Sequence, residues 1–404
     1  MMRPNGRAFK DERVTIMAFG LTKKELSWVL YDVGNSAFVM LSTALIPVYF
    51  ASIADPGSSV VVAWGYAETV ASLVLALLMP VLGSLADLAG NKKKFLVGFA
   101  GTGAVACAAL GVPEHALAFL VVYVIAAIML NGSMVFYDAF LVDATTEERY
   151  DKVSSHGYAW GYIGSCIPFI ACLAVVLGGS SFGIDAKLGM KIAFIITAVW
   201  WVIFTVPVAK NVKQLHGKKR SDHVLRTTIS GLKGTVKSIM KDKRLLFFML
   251  AFFFYIDGVH TVIKMSTSYG TDLGIDSTQL VLALLVTQFV AFPSAIAYGN
   301  LAKRFGTKRM LKVGVLAYFF IVLFAAFFLK SAVEFWILAI CVGLFQGGIQ
   351  ALSRSEYGKL IPKERANEYY GFFDIFGKYA AVMGTFLVSA FTQLTGSSSL
   401  GVLS

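Results

Sequence analysis

The chain contains an internal repeat. Residues 83–98 read GSLADLAGNKKKFLVG, and residues 299–314, which lie 216 positions later, read GNLAKRFGTKRMLKVG. Seven of these sixteen aligned positions are identical. The same offset aligns further pairs, namely Glu148-Arg149 with Glu364-Arg365, Gly132 with Gly348, and Gly161 with Gly377. A repeat of this length predicts two structurally similar halves with the same orientation.

The composition is that of a membrane protein. Hydrophobic residues make up 57% of the 404 residues and charged residues only 15%. A helix that crosses the hydrocarbon core needs about 20 mostly apolar residues. We predict eleven such spans, near 26–52, 60–82, 95–112, 116–138, 157–182, 190–209, 244–265, 278–302, 311–330, 333–353 and 369–393. Two halves of six helices need twelve, so we expect the last helix to be missing, through truncation or in an eleven-helix variant.

The positive charge follows the predicted topology. The formal net charge is +12, and 31 of the 36 lysines and arginines lie in the N-terminal tail, in alternate loops or between the halves. These segments are 1–25, 83–94, 139–156, 210–244, 300–312 and 354–368. The positive-inside rule therefore predicts that the N-terminus and these segments are cytoplasmic. We expect a multi-pass protein of the plasma membrane. We expect the partner of this basic charge to be the lipid bilayer and not a nucleic acid.

A polar linker, 210–243, separates the two predicted bundles, 26–209 and 244–404. Its second part has apolar residues at helical spacing, with cations on the other faces. The apolar residues are Leu225, Ile229, Leu232, Val236 and Ile239. This pattern predicts a cationic amphipathic helix lying on the inner leaflet. For 210–222, a solvated linker is an equally good interpretation.

One copy of the repeat matches a known motif. Gly83, Leu85, Ala86, Asp87, Gly90 and Lys92 fit the pattern Gly-x-Leu-Ala-Asp-(basic)-x-Gly-(basic)-(basic), so the segment resembles the signature of the major facilitator superfamily. We predict a tight turn in which Asp87 caps a helix end or pairs with a cation and so holds an inner gate shut. Lys303 takes the place of Asp87 in the second copy, so the two gates are not chemically equivalent. The alternative is a basic turn with no gating role.

Further motifs sharpen this resemblance. They are YDVGNSAF at 31–38, FYDAFLVD at 136–143, YIDGVHTV at 255–262, QALSRS at 350–355, KLIPKE at 359–364 and GFFDIFGK at 371–378. Together they are similar to the branch of the superfamily related to the fungal vacuolar amino-acid effluxer of autophagy. The resemblance implies an all-helical major facilitator fold and solute transport, and amino acids as one substrate class.

Ionisable residues inside apolar spans cost about 2.5–3.5 kcal/mol on insertion scales and usually face a water-filled cavity. In the first span, Asp32 and Asn35 are candidates for lining such a cavity, unless Asp32 is hydrated or pairs with a nearby lysine. Glu68 in the second span is either a coupling site or an anchor on the helix surface. For Asp138 and Asp143, we favour pairing with loop cations such as Arg149.

The seventh span holds the most suggestive group of polar residues. Asp257, His260 and Lys264 follow one another at i, i+3 and i+7, which places them on one helical face. That face offers an anion and a cation to a zwitterionic solute, and Gly258 would permit local unwinding. Alternatively, Lys264 extends to the outer interface and Asp257 neutralises it. Gln288 in the eighth span offers uncharged hydrogen bonding, either to the solute or between helices.

Arg354, Asp374 and Lys378 form a candidate inner-gate network beside Asp87 and Lys303. No metal-ligand spacing and no cofactor motif is present in the sequence, so we predict neither group and no enzymatic activity. The fourth span lacks the arginine that proton-driven members of the superfamily often carry, so proton coupling has no support from the sequence. We predict a monomeric secondary transporter of a small solute that works by alternating access. The alternatives are a polytopic enzyme acting on a lipid-linked substrate and a non-transporting receptor.

Overall fold

The computed structural model describes residues 18–54, 60–219, 224–272, 274–329 and 331–395. Within these ranges the chain forms fourteen α-helices and no β-strand. In chain order they are α1 (Lys23–Ala44), α2 (Ile46–Ile53), α3 (Val60–Ala86), α4 (Lys92–Ala109), α5 (Ala116–Ala139), α6 (Leu141–Ala144), α7 (Tyr150–Gly178), α8 (Ala186–Asn211), α9 (Val224–Lys241), α10 (Lys243–Asp272), α11 (Ser277–Phe305), α12 (Thr307–Phe328), α13 (Ala332–Leu360) and α14 (Ala366–Thr395). The predicted all-helical fold is confirmed.

The number of spans differs from the prediction. Nine helices of the described ranges are long and apolar enough to cross a membrane, and α1 with α2 makes a tenth if this pair, bent by 45°, is one span. Pro47 explains the bend, because proline near the start of α2 donates no backbone hydrogen bond to α1. The predicted span near 95–112 corresponds to α4, an 18-residue helix that begins with three lysines. The eleven-span count is therefore not confirmed, and 396–404 lies outside the described residues.

The loops rich in lysine and arginine meet at one end of the helices. We call this the basic end, and it comprises 86–92, 139–150, 211–219, 305–307 and 360–366. Ion pairs such as Arg149–Glu25 and Lys218–Glu368, both at 2.6 Å, tie these segments to the first turns of α1 and α14. The start of α1 is also fixed by a local contact, since Thr22 and Glu25 form a capping box there.

The linker helix α9 touches both halves at this end, where it packs against α3 and α10. Thr235 and Ile239 are buried, whereas Lys233 and Lys237 are exposed. The Thr235 hydroxyl donates a short hydrogen bond to Glu368 near the start of α14. The contact of α9 with the inner leaflet stays a prediction.

The two copies of the repeat make matching contacts between the halves. Helix α3 packs against α14, and α7 packs against α11 and α13. A methyl group on Gly83 would lie 2.7 Å from the Asn367 carbonyl oxygen, and one on Gly299 would lie 2.7 Å from Ser155 Cβ and 3.2 Å from the Asp151 carbonyl oxygen. Asp151 and Asn367 are themselves 216 positions apart. Each repeated glycine therefore lets its helix approach the start of the corresponding helix in the other half.

Candidate gate and solute site

A buried arginine joins the two halves near the basic end. Arg354 on α13 has only 1% of its side chain exposed. Its Nη1 lies 2.9 Å from Asp138 Oδ1 on α5 and 3.6 Å from Asp32 Oδ2 on α1. Its Nε donates to the Ser154 hydroxyl at 2.8 Å, and its Nη2 donates to the Ser154 carbonyl at 3.0 Å. The guanidinium thus binds three helices of the first half at once, which suits its planar fork of donors.

Aromatic rings surround the same guanidinium. Its carbon lies 4.4 Å from the ring centroid of Tyr158, 4.7 Å from that of Trp28 and 5.3 Å from that of Tyr137. Such cation–π contacts contribute roughly 0.5–2 kcal/mol each, more when water is excluded. The Tyr137 hydroxyl donates to Asp32 Oδ2 at 3.1 Å, and Trp28 Nε1 donates to the Tyr137 carbonyl at 2.9 Å. The rings therefore hold the Asp32 carboxylate in place as well as the cation.

Asp138 and Arg354 occupy the same position in the two repeats, because they are 216 residues apart. The pair therefore lies where the corresponding helices α5 and α13 face each other across the two halves. The interpretation that Asp138 pairs with Arg149 is wrong, since Arg149 binds Glu25 instead. The interval of 216 between an acid and a base was a signal in the sequence that could have found this pair.

Asp87 binds the start of α14, in the other half of the chain. Its carboxylate accepts hydrogen bonds from the backbone N–H of Asn367 at 2.9 Å, from Asn367 Nδ2 at 2.8 Å and from the backbone N–H of Glu368 at 3.1 Å. These donors belong to the positive end of a helix. Burial raises the pKa of Asp87 to about 6, although the nearby Lys92 opposes the shift. Lys303, its counterpart in the repeat, is exposed on α11.

A second polar contact closes the other side of the basic end. Asp151 at the start of α7 pairs with Lys359 on α13, with both carboxylate oxygens at 2.8 Å from Nζ. The hydroxyls of Thr307 and Ser355 also donate to Asp151, at 2.7 Å and 2.5 Å. The two sides of this end thus differ in chemistry.

Lys92 and Asp143 form a structural ion pair within the first half. Their side chains are fully buried and 2.6 Å apart. Burial by itself would raise the pKa of Asp143, but the Lys92 ammonium and the hydrogen bonds of His216 outweigh it and lower that pKa. Gln214 accepts from the backbone N–H groups of Gly90 and Lys92. The linker is therefore fastened to the turn that carries Asp87. Asp143 thus pairs with a cation of the predicted loop 83–94, as expected in kind, although the cation is Lys92 and not Arg149.

The predicted solute residues lie in separate places. Asp32 and Asn35 are buried in the Arg354 cluster, where Asn35 Nδ2 lies 3.4 Å from Asp32 Oδ1. Asp32 therefore pairs with Arg354 and not with a lysine of α1. Glu68 is exposed on α3 and accepts a short hydrogen bond from the Tyr123 hydroxyl on α5.

On α10, the Asp257 carboxylate accepts from the Thr261 hydroxyl at 3.3 Å. It points at α14, because a methyl group on Gly384 would lie only 2.0 Å from Asp257 Oδ1. His260 is half-buried one turn later, and the side chain of Lys264 lies outside the described residues. Helix α10 is continuous through Gly258, so the local unwinding expected there is not seen.

A cavity of ≈ 80 Å³ lies between α10, α11 and α13, and Gln288 and Gln346 provide its amide groups. Gln288 Oε1 is buried and accepts no hydrogen bond from the described residues. The remaining lining is mostly aliphatic. Asp374 and Lys378 pair with each other on α14. Within the described ranges, no group of three His, Cys, Asp or Glu side chains is placed to hold a metal ion.

Known proteins resemble this chain over most of its length. The family described as "Vacuole effluxer Atg22 like" matches residues 58–404. The uncharacterized MFS-type transporter YxiO of Bacillus subtilis is 46% identical over 392 residues, which are 95% of this chain and 91% of that protein. Autophagy-related protein 22 of Cryptococcus neoformans is 27% identical over 275 residues, which are 62% of this chain and 47% of that protein. The chain thus matches about half the length of this fungal relative.

Solved structures share the fold. The human organic anion transporter MFSD10 has a TM-score of 0.70 at 14% identity, with 94% of this chain and 95% of that chain covered. The transporter FucP, in its outward conformation, has a TM-score of 0.71 at 13% identity, with 94% of each chain covered. Proteins of this superfamily carry small solutes across membranes and are not enzymes, which confirms the prediction of a non-enzymatic protein. The chain belongs to the vacuole effluxer Atg22-like family of the major facilitator superfamily.

Proposed function

We propose that this protein exports a small zwitterionic solute, such as an amino acid, across the plasma membrane by alternating access. In this proposal the N-terminus and the basic end are cytoplasmic, the protein is a monomer, and the bundles 26–209 and 244–404 rock against each other. The family description names an effluxer, which supports the direction of transport. The placement of the lysines and arginines supports the orientation.

The closed basic end carries the proposal. Arg354, Asp87 and Asp151 each join residues of the first half to residues of the second half. These contacts would have to break before a solute could pass this end of the molecule. We therefore assign the structure to the outward-facing state. In this state Arg354, Asp87, Asp374 and Lys378 belong to the inner gate, and Lys303 belongs to the second copy of the gate motif, which is not chemically equivalent to the first.

For the solute we propose a site above this gate. Asp257 supplies an anion, and His260 and Lys264 follow on the same stretch of α10. Gln288 opens onto an uncharged cavity that would take an apolar side chain. Asp32 and Asn35 line the floor of the path, and we include Glu68 on α3 in the site.

A flux screen tests the proposal. Purified protein in liposomes, preloaded with mixed amino acids, should release one class of them faster than liposomes without protein. The variant Arg354→Gln, checked for folding by gel filtration, is the matched control: it removes one contact that closes the basic end and leaves the proposed site on α10 unchanged, so it should alter the rate of release but not which solutes are released. Equal release from protein-containing and empty liposomes, for every solute tested, would favour the non-transporting receptor.

A further inference from the structure

We propose that Asp32 and Asp138 form the proton-coupling site of this transporter, and that Arg354 competes with the proton for their carboxylates. This inference rests on the proposed function, because it names the ion that drives the same cycle. It goes beyond the gate assignment, in which Arg354 only holds the two halves together.

The charge count of the cluster motivates the proposal. Two carboxylates share one guanidinium, and the exposed fraction of their side chains is 5% for Asp32 and 19% for Asp138. A buried charge without a partner is costly, and a carboxylate that loses its cation usually takes up a proton instead. Arg354 belongs to the second half, whereas both acids belong to the first half. Opening the basic end therefore removes the cation from both carboxylates at the same moment.

The other groups around Arg354 are tyrosine hydroxyls or side chains with partners of their own. Asp32 and Asp138 are therefore the two groups proposed to exchange a proton. On α1 and α5 the neighbouring hydroxyls are those of Tyr31 and Tyr137, and α7 contributes Tyr158. On α14, Tyr370 donates to the Arg354 carbonyl, and Asp374 is already paired with Lys378. The histidine on α7 nearest the cluster, His156, lies beside Phe19. Arg354 is therefore the cation that holds Asp32 and Asp138 in the described part of the chain.

The competition gives a direction to the cycle. With both acids ionised, Arg354 binds them and the basic end is closed. A proton that enters from the opposite, open end binds one of the two carboxylates, weakens its bond to Arg354 and lets the basic end open. The proton then leaves to water at the basic end. The solute binds there and is carried outward when the basic end closes again. One proton would thus enter for each solute exported, and no covalent bond would change.

A single reporter cysteine can follow this equilibrium without any solute. Ser155 is 1% exposed, lies against Gly299 of the other half, and its hydroxyl has no hydrogen-bond partner within the described ranges. Ser155→Cys therefore removes no hydrogen bond and places a thiol that opens to solvent only when the halves separate. The native cysteines, Cys107, Cys166, Cys172 and Cys341, are first replaced with alanine.

The experiment measures the rate of maleimide labelling of this thiol, normalised at each pH to the unfolded protein. We expect a several-fold increase from about pH 8 to about pH 5.5, because protonation releases Arg354. The double variant Asp32→Asn/Asp138→Asn mimics the protonated pair, so it should label rapidly at every pH and lose the rise. His156→Gln is the matched control and should keep the rise.

Three outcomes would overturn the proposal. They are a labelling rate in the parent that does not rise on acidification, a rise that persists in the double Asn variant, and a rate that follows the sodium concentration instead of pH. Gel filtration and thermal unfolding establish that each variant is folded. Because no solute is used, a failure here leaves the flux screen unaffected, and a failed flux screen leaves this result standing.

Discussion

Among single residues, Arg354 should be the most costly to lose. Arg354→Gln leaves two buried carboxylates without their cation, and removing one partner of a buried ion pair costs about 3–5 kcal/mol. We expect a clear loss of thermal stability, and partial recovery when Asp138→Asn is added, because the second change removes one uncompensated charge. Thermal unfolding of Arg354→Gln, Asp138→Asn and the double variant measures both effects. A loss of stability in the double variant equal to the sum of the two single losses would show that the two residues are not coupled.

Asp87 should favour the closed basic end as the pH falls, which is opposite in sign to the effect proposed for Asp32 and Asp138. Its pKa is about 6 in the closed gate, against a usual 3.8 for the exposed group. The closed gate therefore binds a proton more tightly, and this residue favours closure as the pH falls below about 6, with no contribution well above that value. In Asp87→Asn this opposing effect is gone. We expect a steeper rise in Ser155→Cys labelling on acidification than in the parent, and slower transport with solute affinity changed only a few fold.

A shallower pH response in Asp87→Asn would contradict the raised pKa. Complete loss of solute binding in this variant would place Asp87 in the solute site and not in the gate.

Asp257 tests the solute site. If its carboxylate binds the amino group of a zwitterion, Asp257→Asn removes a charge-assisted hydrogen bond that contributes about 1.5–3 kcal/mol. The affinity should fall by roughly one to two orders of magnitude, as measured by solute binding to the purified protein. Thr261→Val is the matched control, because it removes only the neighbouring hydroxyl that donates to the same carboxylate. Unchanged affinity in Asp257→Asn would rule out this face of α10.

Residue chemistry was easier to predict from the sequence than residue partners. A carboxylate in an apolar span needs compensation, so Asp32 and Asp138 stood out at once. Their cation is more than 200 positions away, because the pairing is made between the halves. For Asp138, local reasoning favoured Arg149, which is closer in sequence but binds Glu25 at 2.6 Å.

At the scale of helices, hydropathy located the apolar segments well and their ends less well. Helix α4 begins with three lysines that the sequence analysis assigned to a loop, and Lys92 is in fact fully buried against Asp143. The first predicted span is two helices that meet at a 45° bend. Both differences arise from tertiary contacts or from proline geometry, which a hydropathy window does not detect.

The close contact between α3 and α14 depends on Gly83. A methyl group there would lie 2.7 Å from the Asn367 carbonyl oxygen, which is backbone and cannot rotate away. Gly83→Ala should therefore push α14 from α3 and raise Ser155→Cys labelling several-fold. Gly98→Ala is the matched control, since its methyl group meets nothing within 4 Å. Equal labelling in the two variants would show that this contact does not hold the gate closed.

For the whole molecule, the repeat predicted more than any single motif. It predicted two structurally similar halves, and the structure adds that they make corresponding contacts, with Gly83 on Asn367 and Gly299 beside Asp151. It could not predict which state the halves adopt. The closed basic end depends on many contacts between side chains of the two halves, and alternating access requires a second packing of the same sequence in which these contacts are broken.

The orientation in the membrane follows from charge placement and can be tested directly. Because 31 of the 36 cationic residues lie in the tail, the linker and alternate loops, the basic end should face the cytoplasm. In a protein without its native cysteines, Lys219→Cys on the linker should react with a membrane-impermeant maleimide only in inside-out vesicles. Phe182→Cys, in the loop at the opposite end where the side chain is 85% exposed, should react only in intact cells. The reverse labelling pattern would place the basic end outside, and the direction proposed for solute and proton would then be reversed as well.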